Sequence, residues 1–144
     1  MKKFLQIIKY AFLSIVLLLV VAISVFFGNY YEKNPFAGLS PTKSVDCFSF
    51  TERVERVIED EEMIESFVKK LKRYTCVRAS EENFYGSKGT QNGWCSFIFG
   101  EQYFEMNGDG VCMVGGPLAP KYYRLLFFDT AFYARFVNAA EEKK

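Results

Sequence analysis

Three observations predict an α+β protein: an N-terminal transmembrane helix followed by a small antiparallel sheet covered by two amphipathic helices. An uncharged apolar run opens the 144-residue chain, two later segments repeat their apolar residues with helical period, and the stretch between them alternates with period two around glycine turns.

Tyr10 to Phe27 contains no charged residue and is dominated by Leu, Ile, Val and Phe. As a helix it measures about 27 Å, close to the hydrocarbon thickness of a bilayer. Leu5, Ile7 and Ile8 extend it by a turn if Lys9 snorkels. The only small-x-small triplet, Ala22-Ile23-Ser24, would leave Val25-Phe26-Phe27 at a new N-terminus, so residues 1–28 are expected to persist as a signal-anchor. The first cysteine, Cys47, lies too far on to accept a lipid beside the run. Lys2, Lys3 and Lys9 precede the run, whereas Glu32 and Lys33 balance each other after it. The positive-inside rule then gives a single-pass protein of the cell membrane, N-terminus cytoplasmic and C-terminal domain extracytoplasmic. Tyr10, Tyr30 and Tyr31 fit the interfacial ends of such a span.

Asn34-Pro35, Gly38 and Ser40-Pro41 interrupt any regular period, so residues 29–44 are expected as an extended tether. Residues 45–144 suffice for one extracytoplasmic α+β domain. Val45 to Phe50, Arg53 to Ile58 and Tyr74 to Ala79 are predicted strands. Met63, Ile64, Phe67, Val68 and Leu71 form one apolar stripe and predict a helix over about 61–73. Asp60 is its N-cap, acidic residues crowd its first turns and basic ones its last, as the macrodipole favours. Trp94 to Phe99 and Gln102 to Met106 alternate around a two-residue Gly100-Glu101 turn. Asn107-Gly108-Asp109-Gly110 turns the chain again into Val111 to Val114. Tyr122 to Phe128 suits either a last strand or an early start of the second helix. That helix carries Phe132, Tyr133, Phe136, Val137 and Ala140 on one stripe, Asp129 as N-cap, and Phe128 with Tyr133 as a hydrophobic staple. The tail from Glu141 to Lys144 is expected to fray.

The chain has no histidine, which excludes Ser-His-Asp and Cys-His catalysis and every His-ligated metal or haem site. From residue 29 onward 15 basic residues face 17 acidic ones, a net charge of −2, so no footprint for a nucleic acid remains. Ser40 with Lys43 and Ser66 with Lys69 match S-x-x-K, but no S-D-N or K-T-G accompanies them. Glu101, Glu105 and Asp109 read as solvated hairpin charges rather than an acid–base pair across a cleft. Asn107 to Gly110 lacks the remaining oxygens of a calcium loop. No cofactor is expected, and no motif assigns the chain to a family.

Cys47, Cys76, Cys95 and Cys112 include no C-x-x-C pair, which argues against a thiolate metal centre. Outside the cytoplasm they are expected to form two disulfides. If the turn within 107–110 has two residues, Cys112 faces away from Cys95, so Cys95 would pair with Cys47 or Cys76. A three-residue turn or a bulge reverses that parity.

Ser80 to Gly93 is polar, glycine-punctuated and longer than most connections in compact domains, which marks it as a candidate binding loop. Phe84, Tyr85 and Lys88 are its candidate partner contacts, although the two rings would also suit anchoring the loop from beneath. The function expected is a membrane-anchored binding or accessory module, a subunit or inhibitor of an envelope complex, with another envelope or membrane protein as partner and no enzymatic activity. The alternatives are a small anchored hydrolase working without histidine and a regulator acting through its transmembrane helix.

Overall fold

The computed structural model describes residues 2–86, 93–116 and 118–142. Contacts divide the chain into two compact units, Met1–Tyr31 and Glu32–Lys144. In the first, α1 runs Lys2–Tyr30. Its segment Lys3–Gly28 is long and apolar enough to cross a membrane, and none of it is buried within the protein, properties that a signal sequence shares. The hydroxyls of Ser14 and Ser24 donate to the carbonyls of Tyr10 and Val20 at 2.9 and 2.8 Å, so the helix satisfies both polar groups from its own backbone.

The second unit is built on a nine-stranded antiparallel sheet with further helices. The elements in chain order are β1 (Tyr31–Glu32), β2 (Val45–Ser49), β3 (Val54–Ile58), α2 (Glu61–Leu71), β4 (Cys76–Arg78), α3 (Glu81–Tyr85), β5 (Cys95–Phe99), β6 (Gln102–Met106), β7 (Val111–Val114), β8 (Lys121–Leu125), α4 (Thr130–Asn138) and β9 (Glu141–Glu142). The strand order is β1-β4-β8-β7-β6-β5-β2-β3-β9. β5 to β8 form a central meander whose turns are too short to cover anything. The links from β3 to β4 and from β8 to β9 must each pass five strands, and those two links contain α2 and α4. Both helices therefore lie across one face, called inner below, and bury their stripes there.

The main core fills the space between them. Ile64, Phe67, Val68 and Leu71 from α2 and Tyr133, Phe136 and Val137 from α4 meet Phe97, Phe99, Phe104, Met106 and Leu125 from the strands. Phe67 is its hub: its ring stacks on Phe136 at 3.8 Å between centroids and lies near Phe97 and Phe132 at 5.8 and 6.2 Å. The caps hold as the sequence indicates. Asp60 accepts from the Met63 amide at 3.0 Å and Asp129 from the Phe132 amide at 2.9 Å, while Phe128 and Tyr133 stand 5.7 Å apart as the staple. Residues 122–128 resolve as strand first: β8 ends at Leu125, and α4 begins only at Thr130.

Three expectations are corrected. Residues 32–44 do not hang free, because Phe36 and Leu39 are buried in the main core. Asn34 fastens them by donating to the carbonyls of Leu71, the last residue of α2, and Tyr74, just beyond it, at 2.8 and 2.9 Å. Glu141–Glu142 do not fray but pair with Val57 and Arg56 as β9; Lys143 and Lys144 lie outside the described residues.

The third correction concerns the second hairpin. Gly100-Glu101 is the two-residue turn expected, so Phe97 faces Phe104 and Cys95 faces Met106. In the next turn Asn107 pairs with Val111 across three residues: its amide donates to the Val111 carbonyl at 3.1 Å, and Gly110 adopts φ +75°. That is a turn closed by a left-handed glycine, and it reverses the parity. Met106 therefore faces Cys112, which puts Cys112 on the inner face with Cys95, and Val111 and Met113 on the outer face.

Candidate functional site

Alternation along the strands sends a second set of side chains to the outer face. Phe48, Ser96, Glu105, Met113 and Tyr122 are register partners across β2, β5, β6, β7 and β8, and Asp46, Ile98 and Tyr103 form the next row. Part of this face is covered by α3. Ser80 starts that helix with a full capping box, its hydroxyl accepting from the Asn83 amide while the Asn83 side chain accepts from the Ser80 amide. The cap aims Phe84 down onto Val111 and Met113 in a second, smaller core with Ala79, Trp94, Tyr103 and Tyr122 at its rim.

An aromatic band runs along the rim of that core. Phe48 meets Phe50 at 5.0 Å, Phe50 stacks on Trp94 at 4.4 Å, Trp94 meets Tyr85 edge-on at 5.8 Å, and Tyr85 reaches Tyr122 at 6.4 Å. Beneath it lies Glu105, only 8% exposed. Its carboxylate accepts from the Trp94 indole at 3.0 Å and from the Tyr103 hydroxyl, and among the described residues it has no ion-pair partner. Burial, followed by the hydrogen bond to Glu105, pushes the Tyr103 phenol well above its ordinary value. Tyr122 is raised chiefly by desolvation, then by the nearby Glu81 and Tyr85. Both rings therefore stay neutral donors throughout the physiological range.

The candidate contact residues separate on this surface. Phe84 is 3% exposed and its ring is held by Trp94 and Tyr122 at 5.5 and 5.6 Å, which makes it an anchor of α3. Tyr85 is 49% exposed and remains available. Lys88 lies outside the described residues. Glu105, read from the sequence as a solvated hairpin charge, is instead buried. Its alternation with Tyr103, opposite the Trp94-Ser96 pair, was the available signal that it belonged to an aromatic face. Ile98, at 44%, is another large apolar side chain exposed on the outer face among the described residues.

The cysteines all lie buried on the inner face and all are free. No two stand at bonding distance, which corrects the expectation of two disulfides in this structure. β6 separates Cys95 from Cys112 through Met106, and β8 lies between Cys112 and Cys76, so each of these pairs is roughly 10 Å apart across the sheet. Cys47 and Cys95 are diagonal neighbours on adjacent strands, where Cα atoms are about 7–8 Å apart; a disulfide needs about 4.4–6.8 Å. The two thiols interact: the neighbouring Cys95, followed by burial, pushes Cys47 up, whereas the interaction with Cys47 holds Cys95 below its ordinary value against the opposing effect of burial. Burial raises Cys76 to about 11 and Cys112 further. Above Cys95 the Tyr133 hydroxyl contacts the carbonyls of Gly93 and Met106, at 2.5 and 2.9 Å, and so ties α4 to the turn before β5 and to the end of β6. A cavity of about 400 Å³ opens alongside, lined by Ser49, Glu52, Thr130, Tyr133 and Val137 among others.

The remaining sequence motifs do not assemble. Ser40, Lys43, Ser66 and Lys69 are all exposed, and an exposed serine beside an exposed lysine has nothing to activate its hydroxyl. β6 lies between Glu101 and Asp109. The Asn107 side-chain oxygen is committed to the amides of Asp109 and Val111 at 3.0 and 3.1 Å, which is turn chemistry. Among the described residues no group of three or more metal-binding side chains converges. Comparison with protein-family models, with curated proteins and with solved structures finds no match to this chain.

Proposed function

We propose that this chain is a single-pass membrane protein whose folded unit works outside the cytoplasm as a binding or accessory module, a subunit or inhibitor of an envelope complex. The observation that supports a binding role is the outer sheet face: an aromatic band with Tyr85 and Ile98 exposed at its surface, over strands that α3 covers only in part. Aromatic side chains of this kind supply contact area at low entropic cost. The apolar α1 and the lysines before it support the anchor and its orientation.

Two measurements test the proposal. The mass of the protein recovered from membranes should include residues 1–28, and externally added protease should reach the folded unit in spheroplasts; a mature chain starting after Ser24 removes the anchor. Photo-crosslinkers placed singly at Tyr85 and Ile98 in native membranes should trap one discrete neighbour, while crosslinkers at Glu65 and Lys72, exposed on and just after α2, trap none. The same adducts from all four positions, or none from the first two, would overturn the binding face.

A further inference from the structure

The buried carboxylate of Glu105 raises a physical question that the hydrogen bonds around it do not answer. A carboxylate offers about four lone-pair positions, and two neutral donors, the Trp94 indole and the Tyr103 hydroxyl, occupy one on each oxygen. Buried charges are ordinarily paired, yet among the described residues no Lys or Arg lies within ion-pair distance of Glu105. Ser96 and Met113 flank it across the sheet, Trp94 and Tyr103 donate to it, and Tyr85 and Tyr122 stand next to Trp94 and to each other; the faces of these aromatic rings carry negative potential, and Glu81 adds charge of the same sign near Tyr122. The domain from residue 29 onward is itself net negative at −2, with 15 basic and 17 acidic residues. A negative centre under an aromatic rim, opened to solvent at Tyr85, is complementary to an organic cation.

We infer that the Glu105 aromatic site binds an organic cation, an ammonium or guanidinium group whose charge faces the carboxylate while its carbon framework rests on Trp94 and Tyr85. This rests on the binding-module reading above and names the chemistry its face recognises. Such a group can be carried by a Lys or Arg side chain of a partner protein or by a small quaternary amine.

Trp94 is the only tryptophan in the chain and sits in the site, so its fluorescence reports occupancy directly. Full-length protein in nanodiscs is titrated with choline, n-butylammonium and ethylguanidinium, and with 3,3-dimethylbutan-1-ol as the uncharged counterpart of choline. The expected result is a saturable change in Trp94 emission with at least one cation, and at least ten-fold weaker binding of the alcohol than of choline if choline is that ligand. A response confined to n-butylammonium or ethylguanidinium identifies a side-chain source; a response confined to choline identifies a small quaternary amine. Glu105→Gln, which retains an acceptor for the indole, should weaken binding at least ten-fold. Tyr85→Ser, an exposed position, should weaken it about three-fold without changing the melting temperature, and it serves if Glu105→Gln does not fold.

The inference is overturned by equal binding of choline and the alcohol, by no saturable response to any cation up to 50 mM, on the order of the weakest binding worth calling a site, or by unchanged affinity in a folded Glu105→Gln protein. It is also overturned if Lys88→Ala and Glu105→Gln prove energetically coupled in a double-mutant cycle, because the chain would then supply its own cation. Crosslinking at Tyr85 and Ile98 that persists when every cation fails would remove this inference alone and leave the binding face standing.

Discussion

The two faces of the sheet solve the same burial problem with different chemistry. On the inner face two crossover helices exclude water and the side chains are almost wholly apolar, with the four free cysteines buried among them. On the outer face a five-residue helix covers part of the strands, and the side chains there combine apolar bodies with polar ends: Trp94, Tyr103, Tyr122, Ser96 and Glu105. The first arrangement has little to offer a ligand beyond packing. The second leaves hydrogen-bonding and π surfaces near solvent, which is why the binding site is proposed there.

The largest test of this contrast is Phe67→Ala. Removing the ring at the hub of the inner face should cost roughly 3–5 kcal/mol in denaturant melts, because a fully buried aromatic loses transfer energy and leaves a cavity. Phe84→Ala on the outer face should cost about 3 kcal/mol, the low end of the same range, since its cluster is small and can collapse. Equal losses at the two positions would mean that the faces are equally built for stability and would weaken the functional distinction.

Gly110→Ala tests the turn that sets which face each β7 side chain meets. Its backbone sits at φ +75° and an added Cβ would approach the Phe128 ring within 2.5 Å, so a loss of about 1–3 kcal/mol is expected. A neutral result would show that the left-handed conformation is not needed and that the register is held elsewhere.

Asp129 contributes through its charge. Its carboxyl is held below its ordinary value by Lys70 and by the Phe132 amide that it caps. A depressed folded value means that this contribution is present above the unfolded carboxylate range, near pH 4, and is lost as pH falls through the lower folded value. Asp129→Ala should therefore lower the melting temperature at pH 7, with the gap from the unaltered protein narrowing toward pH 3. A gap that stays constant with pH would point to lost packing instead. The smallest effect belongs to Tyr85→Ser, within about 0.5 kcal/mol in the same melts, as expected of a half-exposed side chain away from the core. A loss as large as that of Phe84→Ala would make Tyr85 part of the fold.

Local periodicity and capping chemistry settle the identity of most elements without tertiary information. The stripe from Met63 to Leu71, the caps at Asp60 and Asp129, the Gly100-Glu101 hairpin and the charge-free run from Tyr10 to Phe27 each depend on residues a few positions apart, where helix and strand geometry are fixed. The same locality hid what the site depends on. Phe84 and Tyr85 are adjacent aromatics in one polar stretch, and only the cap at Ser80 together with the docking of α3 on β7 decides which ring is buried. Glu105 looks like any hairpin carboxylate until the register brings Trp94 and Tyr103 to its two oxygens.

What the sequence by itself determined is therefore the helix long enough to span a membrane, the α+β class and the extents of α2, α4 and the β5–β6 hairpin to within a few residues, because these follow from short-range backbone geometry and the apolar pattern. Tertiary structure alone decided which face Cys112 and Val111 occupy, that Phe36 and Leu39 belong to the core, that Glu141–Glu142 become an edge strand and that a buried carboxylate lies under an aromatic band. One extra residue in a turn exchanges the two faces of every strand position after it. Here Phe128, eighteen positions further along the chain, lies against Gly110 of that turn, a proximity that the residues neighbouring Gly110 do not encode.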